Sequence, residues 1–130
     1  MKDIMSTGLA TTRVDETLDV ASTVLALADI RHLPVTDADG ALVGLVTQRD
    51  LIAKFSELGG DRPASTVRVA DVMTNRVKSV GPNDSVLSAA GLILEHKFGC
   101  VPVVDDGQVV GIVTESDFVR MVARELASPR

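Results

Sequence analysis

The chain has 130 residues, which fits one ordinary domain or two very small ones. Its net charge of −5 argues against holding a phosphate backbone, and the lack of Trp and Tyr removes the usual stacking surface for single-stranded nucleic acid. Hydrophobic residues make up 45% of it, which argues against disorder, yet no apolar run approaches the ~20 residues that cross a bilayer.

The opening Met1-Lys2-Asp3-Ile4-Met5 lacks the charged-then-apolar layout of a secretion signal. A short extended piece over 9–12 leads into an amphipathic helix over 16–29, with Leu18, Ala21, Leu25 and Ala28 at helical spacing and Asp15 as the expected N-cap. Strands over 33–36 and 42–47 flank an Asp-Gly turn, a strong hairpin signal. A helix over 48–57 follows, and then the loop-forming run Gly59-Gly60-Asp61-Arg62-Pro63-Ala64-Ser65-Thr66. The same order then returns. It comprises an extended piece over 77–80, a helix over 84–97 marked by Pro82, strands over 101–105 and 109–114, and a helix over 115–126. In that second helix Val86, Ala89, Ala90, Ile93 and Leu94 form the expected apolar side.

The return is a duplication. Asp3-Ile4-Met5 recurs as Asp71-Val72-Met73, and Leu33-Pro34-Val35 as Val101-Pro102-Val103, both 68 residues on. Gly44-Leu45-Val46-Thr47-Gln48-Arg49-Asp50 recurs 67 residues on as Gly111-Ile112-Val113-Thr114-Glu115-Ser116-Asp117. The residue lost between the two offsets falls in the turn, where a folded copy tolerates it. The repeats are read as 1–58 and 69–130 with a linker over 59–68. A half of about 60 residues is marginal alone, and its strands are apolar on both faces. The expected fold is therefore α/β of the α+β kind: two β-α-β-β-α units packed sheet to sheet with pseudo-twofold symmetry.

The chemistry centres on Gly-apolar-Val-Thr-x-x-Asp, present twice. Thr47 with Asp50, and Thr114 with Asp117, have the spacing of a capping box, a purely structural role. The same geometry also suits ribose-phosphate. A helix N-terminus favours phosphate, the Thr hydroxyl can donate to it, and an Asp one turn on can accept from two adjacent ribose hydroxyls. Both readings stay open, since one carboxylate has two oxygens. A metal centre is disfavoured because His32, His96 and Cys100 sit at no ligand spacing, and the lone Cys100 fits a reducing cytoplasm. No P-loop, dinucleotide glycine run, Gly-x-Ser-x-Gly or nucleophile–base pair is present, so an enzyme is not expected.

With these segments doubled and in order, the chain resembles a tandem cystathionine-β-synthase-type (CBS) domain pair, a Bateman module, over residues about 2–125. The resemblance implies no catalytic cofactor, but a regulatory ligand such as AMP, ADP, ATP or S-adenosylmethionine held in clefts between repeats. It also implies a homodimer and a regulated effector, expected to be a separate protein, while the acidic balance and the lack of a spanning apolar run speak against nucleic-acid and membrane partners. Carried over by position, one cleft uses Thr114 and Asp117 with Ala10, Ile30, Arg31 and His32. The other uses Thr47 and Asp50 with Val77, Lys78, Phe98, Gly99 and Cys100, and its uncharged Gly99 and Cys100 weaken its case for phosphate. On this basis the first cleft is favoured for nucleotide. A ligand-free structural or dimerisation scaffold is the alternative.

Overall fold

The structure, a computed structural model, describes residues 3–5, 10–58, 63–96 and 99–127. Its elements run β1 (Thr12–Arg13), α1 (Leu18–Ala28), β2 (His32–Thr36), β3 (Leu42–Thr47), α2 (Gln48–Leu58), β4 (Thr74–Asn75), α3 (Val86–His96), β5 (Cys100–Asp105), β6 (Gln108–Thr114) and α4 (Glu115–Ala127). Short 3-10 turns cover Ala64–Thr66 and Val69–Asp71. Among the described residues no helix is long and apolar enough to cross a membrane.

Contacts divide the chain into two compact units, Ala10–Val77 and Met1–Leu9 with Lys78–Arg130. In the first, strand order is β1-β2-β3-β4, with β1 parallel to β2 and the rest antiparallel. In the second, β5 and β6 form a hairpin, and Val80 bridges Val103 in parallel. The duplication is legible residue by residue. Thr12 faces Val35 as Val80 faces Val103, His32 faces Thr47 as Cys100 faces Thr114, and Val35 faces Gly44 as Val103 faces Gly111. Both hairpins carry an irregularity just after that last pair. The one-residue offset is absorbed in the turns. Asp106 and Gly107 both take positive φ (50° and 76°), the requirement of a tight two-residue hairpin turn. The longer first turn instead winds around Asp37, whose Oδ1 accepts from the N–H groups of Asp39 and Ala41 at 2.9 and 3.0 Å.

Helix boundaries show where local reading falls short. Asp15 is not the cap of α1. Thr17 has the extended backbone of an N-cap (φ −96°, ψ 162°), and its hydroxyl donates to Asp19. Asp15 pairs with Arg13 at 3.4 Å, and its carbonyl accepts from Arg68 at 2.7 Å. The helix closes on Asp29 at φ 53°, with the Asp29 and Ile30 N–H groups returning to Ala26 and Leu25. Leu18, Ala21 and Leu25 are buried as expected, but Ala28 is exposed. In α3 the cap is Ser85, whose hydroxyl accepts from the Ser88 N–H at 3.1 Å. Ala89 and Ile93 face the core, whereas Leu94 is 78% exposed. At 100° per residue Leu94 stands about 140° around the helix from Ala89, off the buried stripe.

Each unit has its own core. One gathers Leu18, Leu25, Leu33, Val35, Val46 and Leu51 with Val67 and Val69, and the other Val80, Ala89, Ile93, Val101, Val103 and Val113. Val67 and Arg68, within the expected linker, are part of the first unit. Val67 is 2% exposed, its carbonyl accepts the Leu18 N–H at 2.9 Å, and Arg68 bridges Thr17. The linker's Gly59–Arg62 lie outside the described residues. The duplicated Asp-apolar-Met segments behave alike. Val72 and Met73 pack against the core built from the first half, and Ile4 and Met5 against the core built from the second. Each copy therefore completes the hairpin unit of the other half of the sequence.

One buried polar atom has no partner among the described residues. Thr12 is 5% exposed, and its Oγ1 makes no hydrogen bond. The repeat places Val80 at the equivalent position. An unsatisfied buried hydroxyl costs about 1–3 kcal/mol, while a methyl in its place costs little. Thr12→Val is expected to raise stability by about 1 kcal/mol, a gain of several degrees in melting temperature. A lower melting temperature would show that the hydroxyl is used.

Candidate functional site

Both Thr-x-x-Asp segments lie at a strand-to-helix junction, β3 to α2 and β6 to α4. In the first unit the bonds are reciprocal. The Thr47 N–H donates to Asp50 Oδ2 at 2.9 Å, and the Asp50 N–H donates to Thr47 Oγ1 at 3.2 Å. The Gln48 N–H goes to the Arg31 carbonyl at 2.9 Å. This is a complete capping box, and the structural role read from the sequence is real. Asp50 is half-buried, and its Oδ1 has no partner among the described residues.

The second unit repeats the frame with a different electrostatic finish. The Thr114 N–H and hydroxyl both donate to Asp117 Oδ2, at 2.8 and 3.2 Å, and the Glu115 N–H goes to the Gly99 carbonyl at 3.1 Å. Asp117 is only 4% exposed, and its Oδ1 is held by Arg120 Nη2 at 2.6 Å. A buried carboxylate with three donors is fully compensated. Arg120 was not singled out in the sequence. Its signal is the spacing Thr-x-x-Asp-x-x-Arg, which places the guanidinium one helical turn after the carboxylate.

The remaining expected site residues distribute as follows. Ala10, Ile30, Arg31, His32, Thr47, Asp50 and Val77 belong to the first unit, and Lys78, Gly99, Cys100, Thr114 and Asp117 to the second. Within the first, Arg31 and His32 come to the same end of the hairpin as Thr47 and Asp50, because His32 pairs with Thr47. Arg31 is exposed, His32 is half-buried, and Ala10 and Ile30 pack partly into the core. Within the second, Gly99 and Cys100 lie beside Thr114 in the same way. Gly99 has φ 79°, so its lack of a side chain has a backbone cause. Val77 is half-buried, Lys78 is exposed, and Phe98 lies outside the described residues. Burial pushes the Cys100 thiol up to about 12, so it stays protonated and unreactive at neutral pH. Among the described residues no group of three His, Cys, Asp or Glu is placed to hold a metal ion.

An open hollow of about 510 Å³ lies on the second unit, lined by Asp3, Ile4, Met5, Asp117, Arg120 and Arg124. That volume is in the range of small-molecule sites. Its wall combines two carboxylates, two guanidinium groups and the apolar side chains of Ile4, Met5 and Ala123.

The family model described as the CBS domain matches residues 1–57 and 69–124. The chain is 32% identical over 119 residues to Hypoxic response protein 1 of Mycobacterium tuberculosis, covering 92% of this chain and 82% of that one. A crystal structure of Hypoxic Response Protein I with two coordinated zinc ions superposes with a TM-score of 0.81 at 31% identity, over 92% of this chain and 95% of that one. CBSX2 in complex with AMP superposes at 0.80 with 31% identity, over 96% of both chains. The CBS domain pair of protein MJ0100, in complex with 5′-methylthioadenosine and S-adenosyl-L-methionine, gives 0.80 at 30% identity, over 93% and 97%.

Proposed function

The chain belongs to the CBS domain family, and on that premise we propose that it is a cytoplasmic regulatory module. It binds an adenosine-containing ligand (AMP, ADP, ATP or S-adenosylmethionine) through its Thr-x-x-Asp segments. It acts on a partner protein rather than catalysing a reaction. The observation that carries this reading is a single geometry made twice. Each carboxylate caps its own helix through Oδ2; Oδ1 has no partner among the described residues at Asp50, and at Asp117 it is held by the exposed Arg120, which a ligand can displace. A ribose diol is a donor suited to that oxygen, and adenosine compounds occupy two of the similar structures. The candidate residues are those carried over above. Signalling follows if the partner distinguishes two conformations that the ligand binds unequally. A second copy of the chain is the expected companion. Support comes from exposed Ile52 and Phe55 on α2 and exposed Val119, Val122 and Leu126 on α4.

The test is a thermal-unfolding panel with AMP, ADP, ATP, S-adenosylmethionine and GTP. A ligand at about 100 times its dissociation constant adds about 2.7 kcal/mol, on the order of 10 °C for a chain of this size. At least one adenosine compound is expected to give such a rise, and GTP a much smaller one. If none does, the carboxylates are caps and nothing more, and the scaffold reading replaces this one.

A further inference from the structure

We infer that Arg120 makes the Asp117 site selective for phosphate-bearing adenosine ligands, whereas the Asp50 site has no such requirement; this rests on the adenosine reading above. The two repeats share the hydrogen bond from the Thr N–H to the Asp carboxylate, and they differ in the role of the Thr hydroxyl and again one turn later. Arg120 in the second repeat stands where the first has Ala53. Its Nη2 lies 2.6 Å from Asp117 Oδ1, and with two bonds from Thr114 on Oδ2 three of the carboxylate's roughly four acceptor positions are taken. A ribose diol brings two donors to the one position left, so both its hydroxyls bond Asp117 only when Arg120 turns aside. It is free to do so, because its side chain is 65% exposed.

Once displaced, the guanidinium is a solvated cation free to take an anion that the ligand brings. It remains on the wall of the 510 Å³ hollow beside Arg124, which follows one helical turn later on the same face of α4. A ligand that carries a phosphate on the same ribose replaces the charge it takes from Arg120. Adenosine offers no replacement, and the sulfonium of S-adenosylmethionine adds a like charge. The fixed charges lining the hollow are balanced, Asp3 and Asp117 against Arg120 and Arg124, so they suit a ligand that brings both hydroxyl donors and an anion. At Asp50 the Oδ1 has no partner among the described residues, and a diol meets no competitor.

The experiment is calorimetric titration in an Asp50→Asn background, which leaves the Asp117 site to be read. AMP, adenosine and sodium pyrophosphate are titrated into the parent and into Arg120→Ala. The parent is expected to hold AMP about tenfold or more tighter than adenosine, the scale of one charge-assisted contact. Arg120→Ala is expected to bring the two within about threefold, by weakening AMP and strengthening adenosine. An AMP-to-adenosine ratio unchanged by Arg120→Ala would overturn the assignment. If neither adenosine compound binds either protein, the adenosine reading fails at the Asp117 site on its own account, and pyrophosphate then decides the arginine's role. Retention by the parent and loss in Arg120→Ala supports the anion site, and no difference between the two removes it.

Discussion

Gly44→Val is expected to destabilise the protein by about 3 kcal/mol or more, the range of severe core overpacking. A Cβ at Gly44 would stand 2.5 Å from Met73 Sδ and 2.9 Å from the Thr74 carbonyl oxygen. The thioether can shift, but the carbonyl cannot, because β4 is paired to β3 at this point through Gly44 with Asn75 and Leu45 with Thr74. The side chain would push β4 off the sheet and draw Met73 out of the core it helps to fill. Gly91→Ala is the control. Gly91 lies inside α3, nothing stands within 4 Å of the Cβ position, and alanine removes the helix penalty of glycine. That change is expected to add roughly 0.5–1 kcal/mol. Urea unfolding of both variants measures the contrast. If Gly44→Val unfolds like the parent, β4 does not sit where the structure has it.

The same glycine shows what a sequence can and cannot reveal. Its presence before an apolar-Val-Thr run signals a close approach to the backbone, and the strand, turn and helix around it follow from short-range rules. Short continuous apolar runs, Asp-Gly turns and Thr-x-x-Asp caps are all properties of neighbouring residues. Hence both hairpins fall within a residue or two of their expected positions, and both Asp carboxylates take their Thr N–H as expected, with the full reciprocal box at Thr47 and Asp50. What approaches Gly44 is another matter, since Met73 lies 29 positions away along the chain. The packing of Asp-apolar-Met onto the other half's hairpin, and the burial of Val67 at the end of an apparent linker, are non-local facts of the same kind. Asp15 failed as a cap for a related reason. Arg68, far off in sequence, holds the Asp15 carbonyl, while Thr17 takes the cap position. Within the candidate site the carboxylates were legible from spacing alone. Arg120 was also legible in principle, but only if the helix is followed one turn past the motif that announces it.

The Asp117 variants separate the two roles of that carboxylate. Asp117→Ala is expected to abolish the nucleotide-induced rise in melting temperature that belongs to its site, and to lower apo stability by about 2 kcal/mol. The loss of stability comes from the helix cap and from the Thr114 N–H left without its 2.8 Å acceptor. Little of it comes from the ion pair, because Arg120 is largely exposed and returns to solvent. Asp117→Asn distinguishes cap from ligand contact. Its amide oxygen still accepts from the Thr114 N–H, so most of the stability is expected to stay. Its amide nitrogen, however, presents donors where a ribose diol requires an acceptor, so the ligand-induced rise at this site is expected to vanish. A buried polar site built to receive hydroxyl donors discriminates strongly against such a mismatch, because both sides are left unpaired. If Asp117→Asn keeps both its stability and the full nucleotide response, Asp117 holds only its own helix and the ligand contact must be sought at Asp50. If Asp117→Ala keeps the response but loses stability, the carboxylate is a cap alone.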